Sequence, residues 1–293
     1  MAIAYDATSQ ITASGWSTGT SMTWSHTCTG SDRYLIVGVS CGETGSDIVS
    51  GVTYNGVAMT RLLFATFAGG GRSNYLYGLV TPATGANNIV VSHSNLIYIH
   101  GNAVSYTGVK QSAQPDSTAN GSASATSLSV STTTVADNSW VVGIFSNTSA
   151  NTSGHTGITP RSDNSSIGVD IGDSNAPKTP AGLYTMTESA GASGSWGAVL
   201  ASLSPSITNI TTAADNGSFI LTGQDSTATV GYTSTTDNGS FTLTGQDTFA
   251  TVTGGWTNTT KSSTANMTNT SKSATSYSNT SKSSTSWTNQ TKS

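Results

Sequence analysis

The chain has 293 residues, of which 8% are charged, and a formal net charge of −4 at pH 7. Typical globular proteins have roughly 25% charged residues, so serine, threonine, asparagine and glycine must keep this chain in solution. Aromatic and β-branched residues recur periodically through most of the sequence, which argues against a disordered chain. The length is sufficient for one large domain or two ordinary ones.

The N-terminal sequence MAIAYDATSQ has no basic region followed by an apolar run, so we expect no secretory signal and synthesis into the cytoplasm. No stretch approaches the roughly 18 apolar residues of a membrane-spanning helix, so we expect no membrane insertion. A hairpin of residues 23–29 and 34–41 would place Cys28 near its turn and Cys41 far from it. This arrangement predicts two free, buried thiols.

Residues 1–205 are predicted to form one all-β domain, a β-sandwich of the jelly-roll type that ends at Pro205. Its short apolar segments are separated by turn residues and none has helical periodicity, which is typical of this fold class. Long polar loops are expected at residues 41–50, 64–73, 108–126 and 146–182. The predicted strands are residues 22–28, 34–40, 51–54, 57–60, 75–80, 88–92, 97–106, 127–132, 139–145, 183–187 and 198–203.

Local sequence features predict one tight turn and two central strands. Asn55-Gly56 lies between alternating residues and favours a two-residue hairpin turn. Residues 35–39 (LIVGV) and 140–145 (WVVGIF) are continuously apolar, which predicts strands that are buried on both faces. Gly38 and Gly143 hold similar places in these strands and are expected to allow a close approach between sheets.

Signatures of catalysis are weak in this sequence. The GxSxG pattern at residues 15–19 lacks the strand and helix that flank a nucleophile elbow. Ser162-Asp163-Asn164 matches a β-lactamase fragment but has no SxxK partner. The four histidines have no metal-ligand spacing. We therefore expect no enzyme activity, cofactor or metal site, and leave open a glycosidase-type carboxyl pair assembled by folding.

Two kinds of binding site are weighed against structural alternatives. Asp170, Asp173 and Asn175 offer oxygen ligands for calcium, but Asx turns are the favoured interpretation of this segment. Exposed aromatic rings would stack on sugars, although most rings in such a domain fill the core. The aromatic candidates are Trp16, Phe64, Phe67, Tyr98 and Tyr184.

Residues 206–255 contain two copies of a 22-residue repeat, DNGSFILTGQDSTATV from Asp215 and DNGSFTLTGQDTFATV from Asp237. In each copy, two segments of alternating polarity are joined by Thr-Gly-Gln-Asp, which predicts a β-hairpin. A single hairpin is marginally stable in water. The copies must therefore stack on one another or on other copies of the chain.

A shorter repeat fills residues 256–293, where WTNTTK, MTNTSK, YSNTSK and WTNQTK recur with steps of 11, 10 and 10 residues. These steps argue against a strict heptad coiled coil. The segment has four lysines and no acidic residue. We favour lysines that keep strand edges from aggregating over lysines that contact phosphate, and expect no nucleic-acid partner.

A homo-oligomeric β-shaft, most simply a trimer, would bury the apolar faces of these repeats on a shared axis. The alternative is that the hairpins extend an edge of the preceding domain. The residues predicted to form the oligomerisation face are Phe219, Leu221, Val230, Phe241, Leu243, Val252, Trp256, Met267, Tyr277 and Trp287.

The DNGSFTLTGQD and WTNQTKS repeats resemble segments of structural proteins of tailed bacteriophages and prophages. VTYNGVAMT, PATGANNIVV, AVSYTGV and ADNSWVVG resemble a β-sandwich module of the same kind of protein. The resemblance implies a component of the virion without catalytic residues. No coiled-coil heptads or collagen-like stretch accompany it, which favours a short appendage.

The leading hypothesis is therefore an oligomeric, tail-associated fibre or spike of a phage particle that contributes to host-surface attachment. Its expected partners are further copies of itself, other virion proteins and a host-surface glycan. The alternatives are a head fibre or capsid decoration protein, a carbohydrate-binding adhesion module, and a polysaccharide depolymerase.

Overall fold

The structure, a computed structural model, describes residues 2–11, 15–17, 19–42, 45–69, 71–94, 97–149, 152–164 and 167–206, and beyond them the backbone of eight strands. The chain divides into two compact units, Met1–Ser206 and Ile207–Ser293. The described residues form β-strands and no helix, which confirms the predicted all-β class. Accordingly, no helix in this part of the chain is long and apolar enough to cross a membrane.

The described residues of the first unit form sixteen strands. They are β1 (Ala4–Gln10), β2 (Gly15–Ser17), β3 (Ser21–Cys28), β4 (Tyr34–Gly42), β5 (Val49–Tyr54), β6 (Val57–Ala58), β7 (Thr60–Thr66), β8 (Arg72–Val80), β9 (Gly85–His93), β10 (Ile97–Thr107), β11 (Ser117–Thr133), β12 (Trp140–Asn147), β13 (Thr152–Thr156), β14 (Thr159–Asn164), β15 (Val169–Asp173) and β16 (Leu183–Leu203).

These strands form three antiparallel sheets. The middle sheet has the order β1-β10-β4-β8-β7, with β2 added to β10. The first outer sheet has the order β3-β9-β5-β6. The second outer sheet has the order β11-β16-β12-β15-β14, with β13 added to β16. The sequence predicted a sandwich of two sheets, whereas the described strands of this unit form three.

The middle sheet is apolar on both faces, which is why a third layer is required. All nine residues of β4 are buried. Leu35 and Val37 belong to the core shared with the first outer sheet, whereas Ile36 belongs to the core shared with the second outer sheet. β12 is likewise buried along its whole length. The prediction that both apolar runs are buried on two faces is confirmed.

Gly38 allows the middle sheet to approach the second outer sheet closely. A Cβ atom at this position would lie 2.9 Å from Cδ1 of Ile144 and 3.3 Å from Cδ1 of Ile171. The prediction for Gly143 is wrong, because a Cβ atom there would meet Leu200, which pairs with Gly143 within the same sheet. Gly143 is therefore required by packing between neighbouring strands of one sheet, and not by packing between two sheets.

A long ribbon of β11 and β16 bends over the second outer sheet. Residues 117–125 of β11 pair with residues 194–202 of β16 inside that sheet. Beyond a register shift after Ala125, residues 127–133 pair with residues 183–189. We call residues 127–133, residues 183–190 and β13 the arm. Apolar residues of the arm form a third core with the outer face of the sheet: Leu128, Val130 and Met186 with Val141, Phe145 and Leu200.

Several local predictions can be compared with this architecture. The Asn55-Gly56 turn is confirmed, with φ angles of 50° and 76° between paired Tyr54 and Val57. The predicted hairpin of residues 23–29 and 34–41 is wrong, because β3 pairs with β9 and β4 pairs with β8 and β10. β3 alternates between buried and exposed residues and suits an outer sheet, whereas β4 is wholly buried.

The predicted loop at residues 146–182 is also wrong, since it contains β13, β14 and β15. The predicted loop at 108–126 contains the first half of β11. These strands consist largely of serine, threonine, glycine and charged residues, which hid them from hydrophobic periodicity. Cys28 and Cys41 are free and buried, as predicted.

The second unit contains eight described strands. They are β17 (Asn209–Ala213), β18 (Ser218–Thr222), β19 (Thr227–Gly231), β20 (Ser240–Thr244), β21 (Phe249–Thr253), β22 (Asn266–Thr270), β23 (Thr275–Ser278) and β24 (Gln290–Thr291).

The predicted hairpins are wrong, because the two strands of one repeat do not pair with each other. β18 pairs with β20 of the next repeat, parallel and in register, so that Phe219 lies beside Phe241. β17, β19, β21 and β22 form a second parallel ladder, which β23 and β24 extend in antiparallel fashion. Identical repeats can occupy equivalent ladder positions when they stack in parallel, so stacking between repeats replaces pairing within them.

Candidate functional site

Four titratable side chains converge between the arm and the second outer sheet. His155 on β13 lies directly opposite Glu188 on β16. Asp163 on β14 lies directly opposite Asp170 on β15. The arm therefore carries the pair His155–Glu188, and the sheet beneath it carries the pair Asp163–Asp170.

The contacts within this cluster are close but incompletely satisfied. His155 Nδ1 lies 3.5 Å from Glu188 Oε1, and His155 Nε2 lies 3.9 Å from Asp163 Oδ2. Asp170 Oδ1 accepts the backbone N–H of Asn164 at 3.0 Å. Both carboxyl oxygens of Glu188 and Oδ2 of Asp170 are buried without a full hydrogen bond. Such oxygens are costly to bury as charges, so the cluster favours bound protons.

The pKa values follow from this burial. Burial, and then the charge of Glu188, raise the pKa of Asp170 to about 9. Burial also raises the pKa of Glu188, although the nearby imidazole of His155 opposes the shift. The bond to Glu188 raises the pKa of His155. At neutral pH Asp170 therefore retains a proton beside Glu188.

This arrangement holds protons but does not present them to a substrate. Glu188 is 0% exposed and Asp170 is 1% exposed. A glycosidase holds its two carboxyls on either side of the bond that it cleaves, with the substrate between them. Folding does assemble a carboxyl pair, which the sequence left open, but the arm covers it. Within the described residues, no group of three or more His, Cys, Asp or Glu side chains, this cluster included, is arranged so that it could hold a metal ion.

The calcium interpretation of Asp170, Asp173 and Asn175 is wrong. Asp170 faces the arm, whereas Asp173 accepts a hydrogen bond from Tyr106 Oη of the middle sheet at 2.8 Å. Arg161 neutralises Asp173 through two hydrogen bonds of 2.7 and 2.9 Å. The favoured Asx turn is confirmed, because Asn175 N donates to Asp173 Oδ1 at 2.9 Å. Successive strand residues alternate in direction, so these carboxyls cannot share one ion.

Arg161 is a connecting residue that the sequence analysis missed. Its guanidinium group lies 4.2 Å from the ring centre of Tyr5 on β1 and also binds Asp173. It thereby ties the edge of the second outer sheet to the edge of the middle sheet. A lone arginine inside a predicted loop gave no signal of this role.

The two serine motifs lie on strands. Ser17 ends β2, which pairs with β10, and its side chain lies outside the described atoms. Ser162 Oγ on β14 lies 2.6 Å from Gln10 Oε1 and 2.9 Å from Asn102 Oδ1, within hydrogen-bonding distance of both, and its one hydroxyl proton is donated to one of them. Ser162 thus joins two sheets rather than activating a nucleophile.

The aromatic candidates differ in accessibility. Phe67 is buried, and Phe64 packs against Tyr75 with ring centres 4.8 Å apart. Phe64, Tyr98 and Tyr184 are half-buried. Tyr184 donates to Gly157 O at 2.7 Å and lies below Lys178, whose Nζ is 4.3 Å from the ring centre. The side chain of Trp16 lies outside the described atoms.

The predicted oligomerisation residues fall on the two ladders of the second unit. Leu221 pairs with Leu243, as Phe219 does with Phe241. Val230 pairs with Val252 in the longer ladder. In that ladder, Met267 pairs with Ala250 and Tyr277 pairs with Asn269. Trp256 and Trp287 lie outside the described residues.

Comparison of the chain with protein-family models, with curated proteins and with solved structures found no match.

Proposed function

We propose that the chain is a non-enzymatic structural component of a tailed-phage particle, an oligomeric tail-associated fibre or spike that contributes to host-surface attachment. The observation that carries this proposal is the parallel, in-register pairing of strands 22 residues apart in the second unit, such as Phe219 with Phe241. Short repeats that stack in this way build elongated structural parts.

The second unit is the oligomerising part in this proposal. The β18–β20 sheet has only two strands, so both of its edges are open among the described strands. Two-stranded sheets are marginally stable alone. Three copies around a shared axis would cover the residues predicted to form the oligomerisation face and would bring the open edges together.

The first unit is the attachment part. Its aromatic candidates Phe64, Tyr98 and Tyr184 are half-buried and retain exposed surface for stacking on a host glycan. The jelly-roll-like character of this unit belongs to the same proposal. The enclosed position of Asp170 and Glu188 favours attachment over hydrolysis of that glycan.

Purified particles test the proposal directly. Particles released from the strain that encodes the chain are banded in a density gradient, digested and analysed by mass spectrometry. We expect peptides of both units in the particle band, and antibodies against residues 1–206 to label the tail in electron micrographs. Labelling of the head would favour a head fibre or decoration protein. Absence of the chain from intact particles would overturn the proposal.

The depolymerase alternative is tested on the same material. Release of reducing sugars from host polysaccharide, lost in the Asp170→Asn variant, would replace the structural function by an enzymatic one. We expect no sugar release from the wild type or from Asp170→Asn, and we expect both to bind the host envelope equally well.

A further inference from the structure

Most strand edges of the first unit carry features that prevent pairing with another chain. β1 contains Asp6 and a register shift, and β7 contains Arg61 and a register shift. β14 contains Pro160, Arg161 and a register shift. Charges, prolines and bulges at edges are the usual protection against unwanted strand addition.

The two edge strands of the first outer sheet are shorter than β11. β6 has two residues. β3 has eight residues, against 17 in β11, and its inner side chains pack on β1, where Ser9 Oγ contacts His26 Nδ1 at 2.8 Å and accepts the indole N–H of Trp24 at 3.2 Å. Neither strand offers a row of backbone groups as long as that of β11.

β11 is the exception. It has 17 residues, pairs only with β16 among the described strands, and contains no charged residue and no proline. Its first nine residues, 117–125, pair with β16 without a register shift. Every side chain in residues 117–125 is serine, threonine, alanine, asparagine or glycine. This edge therefore presents unpaired N–H and C=O groups without steric or electrostatic protection.

We propose that β11 is an interface at which a second copy of this chain adds its own β11, antiparallel and across a two-fold axis. Residues 117–125 alternate between half-buried and exposed positions. Reversal of the strand preserves this alternation, so each face of one β11 continues into the same face of the other.

A second copy fits this edge because it brings no like charges and no bulky side chain opposite it. The exposed positions Thr118, Asn120, Ser122 and Ser124 are small and uncharged in both copies. An isologous contact of this kind closes after two copies. It also satisfies the backbone groups of both edges at once, which a partner bound elsewhere on the surface would not do.

The full chain carrying Ser122→Lys tests this interface. Lysines would face each other across the two-fold axis near the centre of the paired edge, and like charges in that position oppose pairing. Ser193→Lys is the matched control, because Ser193 is exposed on β16 and has no partner position on β11. We expect Ser122→Lys to halve the molar mass measured by light scattering, and Ser193→Lys to leave it unchanged.

Hydrogen exchange gives a second readout that does not depend on any variant. In the wild-type full chain at high concentration, the β11 amides that do not bond to β16 should exchange at least about tenfold more slowly than at high dilution. An equal mass for wild type and Ser122→Lys would overturn the proposal, as would fast, concentration-independent exchange of these amides. The interface concerns the first unit alone, so its failure leaves the proposed function of the repeats untouched.

Discussion

Asp170 lies between the arm and the second outer sheet, where burial and the neighbouring Glu188 raise the pKa of its carboxyl from 3.8 to about 9. Between these two pH values the folded chain holds a proton that the unfolded chain releases. The free energy of unfolding contributed by this residue is therefore fully present below pH 4 and declines as the pH rises towards 9.

Asp170→Asn should remove this alkaline loss of stability. An asparagine keeps an oxygen for the N–H of Asn164 and carries no charge at any pH. We expect the variant to be more stable than the wild type at pH 9, on the order of a few kcal/mol, and nearly equal to it at pH 4. Urea unfolding at both pH values measures the difference, and a difference that does not change with pH would contradict the assigned proton.

Two histidines give the opposite dependence at lower pH. Burial lowers the pKa of His26 and of His100 from 6.5 to about 4. Between pH 6.5 and about pH 4, both histidines are protonated in the unfolded chain but remain neutral in the folded chain. Acidification through this range therefore lowers the free energy of unfolding. The effect of Asp170 is therefore isolated most clearly above pH 7.

The carboxyl cluster could not be predicted from the sequence, because nothing local joins its members. Asp170 and Glu188 lie on different strands, and only the bend of the β11–β16 ribbon brings them together. Cys28 and Cys41 are free and buried as predicted, but not because of the predicted hairpin: Cys28 takes a buried position in the alternating strand β3, and Cys41 lies in the wholly buried strand β4.

At the scale of elements, apolar patterns were informative and polar strands were not. β4 and β12 could be recognised because burial on both faces demands a continuous apolar run. β13, β14 and β15 could not, because the polar cluster that they carry removes the alternation. The repeats showed that strands exist in residues 206–255, but not that equivalent strands pair in parallel.

Gly38→Ala tests the close approach of two sheets. The added methyl group would lie 2.9 Å from Cδ1 and 3.3 Å from Cβ of Ile144. The Ile144 side chain, or the strand that carries it, must therefore move away. Such overpacking typically costs about 1–3 kcal/mol. Gly51→Ala on β5 is the matched control, because a methyl group there meets nothing within 4 Å.

Denaturant unfolding measures both glycine variants. We expect a clear loss of stability for Gly38→Ala and a change within about 0.5 kcal/mol for Gly51→Ala. Equal stability of the two variants would show that the sheets separate more easily than the packing of Ile144 against Gly38 implies.

At the scale of the whole molecule, the two proposed associations belong to different units. Among the described side chains, three apolar cores lie between residues 3 and 203 of the first unit, which gives that unit the means to fold by itself. Pairing through β11 has two-fold symmetry, whereas the proposed association of the repeats has three-fold symmetry. A closed assembly with D3 symmetry contains both two-fold and three-fold axes, so proposing one association does not exclude the other.

The central claim is that the repeats hold copies of the chain together. It is tested most directly by the molar mass, from light scattering, of two chains that both carry Ser122→Lys: the full chain and residues 1–206. This substitution removes the β11 contact and leaves the repeats as the means of association. We predict that the full chain is a trimer in solution and that residues 1–206 are a monomer. A full chain that is monomeric in this background would contradict the oligomeric fibre.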